Sequence, residues 1–106
     1  MIYEGRMDPE CVVLCDAMNT LFGIVTRESC CGHGVHPFRV WFSAGNFSQL
    51  KPILNAIHGL GWDWHRWHVE ATGYPAAEDV YFLLEGPVNG QYQAAAIAAC
   101  LKEQNG

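Results

Sequence analysis

The densest chemistry in the chain lies in one run, Glu28-Ser29-Cys30-Cys31-Gly32-His33-Gly34-Val35-His36-Pro37. Two thiols, two imidazoles and two glycines share these ten residues. Thiolate and imidazole are ligands that suit zinc. Cys31, His33 and His36 form a candidate three-ligand metal set, with Cys30 as an alternative and His65, His68 or solvent as the fourth. The spacing matches no standard zinc motif, and a second Cys-x-x-Cys knuckle is absent. The same run also fits a reactive thiol, with Cys30 as nucleophile, His33 as proton-transfer partner and Arg27 close in sequence. A donor-rich, positive neighbourhood lowers a thiol pKa in this way. A third chemistry is non-covalent. Gly32 and Gly34 reach backbone conformations closed to other residues, and such turns aim N–H groups at an anion. The ligand-binding set is then Ser29, Gly32, Gly34, Arg27 and His65, with a phosphate or carboxylate as ligand. The plain alternative is that Cys30 ends a strand and Gly32-His33-Gly34 makes a tight turn, since free Cys is often buried.

Other reactive residue types carry weaker signals. Cys11 and Cys15 are four apart on one helix face, but share it with Leu14, Met18 and Phe22, so core packing is expected. Cys100 stands in an Ala-rich helix and reads the same way. In Trp62-Asp63-Trp64-His65-Arg66-Trp67-His68, strand alternation puts Trp62, Trp64, Arg66 and His68 on one side and Asp63, His65 and Trp67 on the other. One row covers a core. Some of His65, Arg66 or Trp67 is left as functional surface, either a stacking platform or a protein-docking patch. Glu70, Glu78, Asp79 and Glu85 show no paired-carboxylate pattern. Nucleotide-loop and hydrolase-elbow motifs are missing.

These residues need elements to hold them. Asp8-Pro9-Glu10 starts a helix, whose apolar face is Cys11, Leu14, Cys15, Met18, Leu21 and Phe22, and Gly23 ends it. Ile24–Glu28 is a β-branched strand, Ser29–Pro37 a loop, and Phe38–Ser43 a strand with Phe38, Val40 and Phe42 on one face. Leu50, Ile53, Leu54, Ile57 and Leu60 mark a second helix. Trp64–Thr72 and Val80–Glu85 form a hairpin across a turn at Gly73–Asp79, and Gly86-Pro87 stops its second strand. Asn89 caps a last helix running to about Gln104. The order α-β-β-α-β-β-α predicts an α+β domain with helices on a small, mostly antiparallel sheet. The two β-β-α halves show no matching sequence repeat.

The bulk numbers agree with one domain and narrow the functions. The chain has 106 residues, half of them hydrophobic and 16% charged, with four Trp, four Tyr and five Phe. That supports a buried core and argues against disorder. The net charge of −5 disfavours wrapping a phosphate backbone, although Arg27, Arg39 and Arg66 leave room for a small basic patch. No apolar run is long enough for a membrane span, and Met1–Pro9 does not read as a signal peptide. Five Cys, an odd number including an adjacent pair, fit reduced thiols and a cytoplasmic location.

Gly23-Ile24-Val25-Thr26 followed by Glu28-Ser29-Cys30-Cys31-Gly32-His33-Gly34 resembles a segment, G-I-x-T-x-x-S-C-x-G-H, of small uncharacterised bacterial and phage proteins. The match covers about a tenth of the chain, and the element order around it agrees. The Ser29-Cys30-x-Gly32 core is more distantly similar to the S-S-C-S-G-R segment of the wybutosine-synthesis tRNA methyltransferase family. That likeness implies S-adenosylmethionine and RNA, but His33 stands where that family has Arg. The expected function is binding of a small anionic ligand or a metal such as zinc through the Ser29–His36 loop. A Cys-dependent enzyme using Cys30 and His33 is one alternative. A phage-type interaction or inhibitor protein using the Trp-rich segment is the other, and a homodimer is compatible with either.

Overall fold

The structure, a computed structural model, describes residues 9–30, 35–61, 66–72 and 80–105. Helix α1 (Pro9–Asn19) leads into strands β1 (Val25–Cys30) and β2 (Pro37–Ala44), then helix α2 (Lys51–Gly59), strands β3 (His68–Ala71) and β4 (Val80–Val88), and helix α3 (Gln91–Asn105). The sheet order is β1-β2-β4-β3, antiparallel throughout. Each half is thus a hairpin followed by a helix, and the two hairpins pair through their second strands. The α+β class and the element order are those expected from the sequence.

Hydrophobic patterning decides which face the helices cover. Phe38, Val40, Phe42 and Ala44 alternate along β2 and are fully buried. Their cross-strand partners on β4 include Phe82 and Leu84. These residues join Cys11, Leu14, Cys15 and Met18 of α1, Ile53 and Ile57 of α2, and Ile97 and Leu101 of α3 in one core. Phe42 and Phe82 stack at 5.7 Å between ring centres, and Phe47 meets Phe82 edge-on at 5.6 Å. Such pairs add to the burial of apolar area, which is the main driving force. The Ala-rich sequence of α3 lets it lie closely against both α1 and α2.

The core also holds a polar seam between α1 and β1. The Asn19 amide oxygen accepts from the Thr26 backbone N–H, and its Nδ2 donates to Thr26 Oγ1, both at 2.9 Å. The Thr26 and Ser29 hydroxyls hydrogen-bond Cys15, whose thiol is pushed up to about 11, chiefly by burial. Among the described residues, no helix is long and apolar enough to cross a membrane.

Several boundaries differ from the sequence reading, each for a local reason. α1 ends at Asn19 rather than at Gly23. Thr20 Oγ1 donates to the Ala17 carbonyl at 2.6 Å, and tight turns follow. Leu21 still reaches the core, while Phe22 is 88% exposed. Gly23 has φ +78°, a conformation in which its missing side chain also leaves room for the Gln49 amide. Gln49 Oε1 accepts from the Gly45 N–H at 2.6 Å, tying the end of β2 to a 3-10 turn, Phe47–Leu50, that precedes α2. In α2 the inner face is Ile53, Ala56 and Ile57, and Leu54 is exposed. Gly86-Pro87 does not stop β4, which runs on to Val88, because Val88 still pairs with Pro37. The Asp8 cap and the turn at 73–79 lie outside the described residues.

Candidate site on the open face of the sheet

Because side chains alternate along a strand, Arg39, Trp41 and Ser43 of β2 and Tyr81, Leu83 and Glu85 of β4 stand on the face away from the helices. Leu83 is buried but lies outside the main core. Register assembles these positions into rows. Cys30 pairs with Arg39, Arg39 with Glu85, and Glu85 with His68, one position from each of the four strands. The next row is Glu28, Trp41, Leu83 and Glu70. The first row lies where β1 ends and β3 begins.

Polar side chains in these two rows converge. Arg39 Nε donates to Glu85 Oε2 at 2.7 Å. The other Glu85 oxygen, Oε1, lies 3.5 Å from His68 Nε2, and Glu70 Oε1 lies 3.9 Å from the same nitrogen. His68 and Glu70 are two apart on β3, so they share a face, and Glu85 reaches them from the neighbouring strand. Glu85 and His68 side chains are only 21% and 23% exposed, whereas Glu70 is 53% exposed. A polar, partly desolvated cluster results, most exposed at Glu70.

This triad has the composition and spacing of a metal-binding group. One ligand atom from each of His68, Glu70 and Glu85 lies within 4.8 Å of the other two. A tetrahedral zinc with bonds of about 2.0–2.1 Å has ligand atoms about 3.4 Å apart. The 3.5 and 3.9 Å separations from His68 Nε2 are already close to that. Among the described residues three protein ligands converge, the number found in catalytic rather than structural zinc sites.

The residues singled out in the sequence are placed differently from one another. Ser29 and Cys30 belong to β1, not to a loop. Ser29 is paired across from Val40 and bonds Cys15, so it is directed toward the helix layer. Arg27 sits at an irregularity in the β1–β2 pairing. Its Nε donates to Ser43 Oγ at 3.3 Å, and its guanidinium lies 5.6 Å from the Tyr81 ring centre. Ser43 is four residues along β2 from Arg39, about 13 Å away, so Arg27 is remote from the His68 cluster. His36 is exposed just before β2. Cys31, Gly32, His33, Gly34 and His65 lie outside the described residues, as do Trp62 and Trp64.

The Trp-rich segment requires one correction. Strand β3 starts at His68, not Trp64, and Trp67 is core rather than surface, 1% exposed. Its ring lies 5.6 Å from that of Phe38, and its Nε1 donates to Gln93 Oε1 at 2.7 Å. Cys11 and Cys15 are buried in the core as expected, and Cys100 is partly buried against it.

Glu70 and Glu85, which show no paired-carboxylate pattern in the sequence, come together beside His68 in the fold. The available signal was His68-Val69-Glu70 on a strand, which puts an imidazole and a carboxylate on one face, opposite a hairpin partner carrying another carboxylate. No known protein family, curated protein or solved structure matches this chain.

Proposed function

We propose that this domain binds a divalent metal ion of the zinc type on the open face of its sheet, through His68 Nε2 and the carboxylates of Glu85 and Glu70. The convergence of those three ligand atoms carries the reading. Arg39 holds Glu85 by its other oxygen, so one carboxylate oxygen stays aimed at His68. Hydrogen-bonded ligands of this kind are typical of functional metal sites. Among the described residues Cys11, Cys15 and Cys100 are not joined in disulfides, which suits a reducing compartment, and the cytoplasm is part of this proposal.

Isothermal titration with zinc, on wild type, His68→Ala and Glu85→Gln, tests it. The expected result is about one zinc per chain in the wild type and a loss of at least about tenfold in affinity in both variants. Equal zinc binding in all three proteins would remove the cluster as the site.

A second reading keeps the metal, or a small anion, in the Ser29–His36 segment. The favouring observation is that β1 ends at Cys30, across from Arg39 in the same row as Glu85 and His68. Cys31→Ser and His33→Ala in the same titration separate the two. Binding lost in these variants and kept in His68→Ala assigns the metal to the segment. A Cys30–His33 enzyme would further need a thiol that reacts faster than a free cysteine with iodoacetamide.

A further inference from the structure

We infer that the coordination position left open by His68, Glu70 and Glu85 takes an oxyanion, a phosphate or carboxylate group, with Arg39 as the residue that holds it. This rests on the metal reading and extends it to the ligand.

Three observations meet at Arg39. First, it engages Glu85 through Nε alone. A guanidinium has five N–H donors, so the two terminal NH2 groups have no hydrogen-bond partner among the described residues. Second, its side chain is 39% exposed, nearly twice as open as the Glu85 it bonds. The Glu85 bond fixes one edge of the guanidinium, and more than a third of the side chain is open to solvent. Third, Glu85 is shared. A metal on Oε1 and the guanidinium on Oε2 stand on one carboxylate, within about 6 Å of each other by ordinary bond lengths. A single tetrahedral or planar oxyanion spans such a gap, with one oxygen on the metal and another on the guanidinium.

Charge supports the same direction. With His68 neutral, as a metal ligand must be, two carboxylates against one guanidinium leave the cluster with one negative charge. A bound dication reverses this to one positive charge, so the open position favours an anionic fourth ligand over a neutral one. Without the metal, the carboxylates repel an anion. The cluster therefore takes metal first and oxyanion second.

Cobalt(II) replaces zinc as a visible reporter, because its d–d bands respond to a change of ligand. The whole chain is loaded with cobalt and titrated with inorganic phosphate and, separately, with acetate. Wild type, Arg39→Gln and Arg39→Lys are compared. The expected result is a saturable band shift in the wild type that needs about tenfold more anion in Arg39→Gln, with Arg39→Lys between them. The arm that responds names the group, phosphate, carboxylate or both. If wild type binds no cobalt, the metal reading itself is wrong. If wild type and both variants bind cobalt but titrate identically with anion, or not at all, the oxyanion inference falls while the metal site stands.

Discussion

Trp67 occupies the space that Gly86 leaves on the neighbouring strand. A Cβ built on Gly86 would lie 2.6 Å from Trp67 Cζ2, far inside van der Waals contact. The indole cannot move aside, since it is 1% exposed, packed on Phe38 and bonded to Gln93. Two effects of Gly86→Ala oppose each other. Reduced freedom of the unfolded chain stabilises by about 0.4–1 kcal/mol, and overpacking costs about 1–3 kcal/mol. The clash wins, so Gly86→Ala lowers the urea midpoint with an unchanged slope. Trp67→Ala costs about 3–5 kcal/mol. A Trp that served only as a docking surface would leave stability within about 0.5 kcal/mol.

Asn19 joins the end of α1 to β1 with both ends of its amide. Asn19→Ala removes two hydrogen bonds at Thr26, a residue 1% exposed. The expected loss is about 1–3 kcal/mol, because buried polar groups are costly to leave unmatched. Thermal melting of the variant reads it directly. Asn19→Asp keeps the acceptor for the Thr26 N–H and is expected to lose less.

Cys15 makes stability fall at alkaline pH. Its thiol is held at about 11 in the folded chain, against 9.0 as its ordinary value, because burial disfavours the thiolate. Between these values the unfolded chain has lost the proton and the folded chain keeps it. Deprotonation therefore draws the protein toward the unfolded state as pH rises from about 9 to about 11. The full shift corresponds to roughly 2–3 kcal/mol. Denaturation midpoints across this range are expected to drop more steeply in wild type than in Cys15→Ala. The same burial predicts that Cys15 resists alkylation in the native protein and reacts after unfolding.

If zinc binds at the proposed site, it is expected to raise the melting temperature by mass action. At a free zinc concentration a hundred times the dissociation constant, the stabilisation is about 2.7 kcal/mol. Removing zinc with EDTA returns the melt to that of the apo chain. His68→Ala is expected to melt at the same temperature with and without zinc.

Fold class and element order were legible because they depend on local periodicity. Phe38, Val40 and Phe42 read as one strand face and are one. Cys11 and Cys15 read as helix-face core and are buried together. Boundaries were less legible, since they depend on single hydrogen bonds. Thr20 ends α1 by capping Ala17, and Val88 extends β4 past Gly86-Pro87 because Pro37 is there to pair with it. Ala17 lies within the helix being read, whereas Pro37 is far from Val88 in the chain.

The candidate site divides along the same line. The sequence by itself determined that His68 and Glu70 share a strand face, because the side-chain period of two is a property of the backbone. It also determined the density of thiols and imidazoles at Cys30–His36. Only the tertiary structure decided that Glu85 stands beside His68 and that Arg39 grips Glu85 from the far side. Arg39 and Glu85 are 46 residues apart in the chain. What joins them is the antiparallel register of β2 on β4, chosen by burial of Val40 against Leu84 and Phe42 against Phe82 on the opposite face. A slip of one residue would turn those apolar side chains into water, so the core, not the charges, sets the geometry of the site.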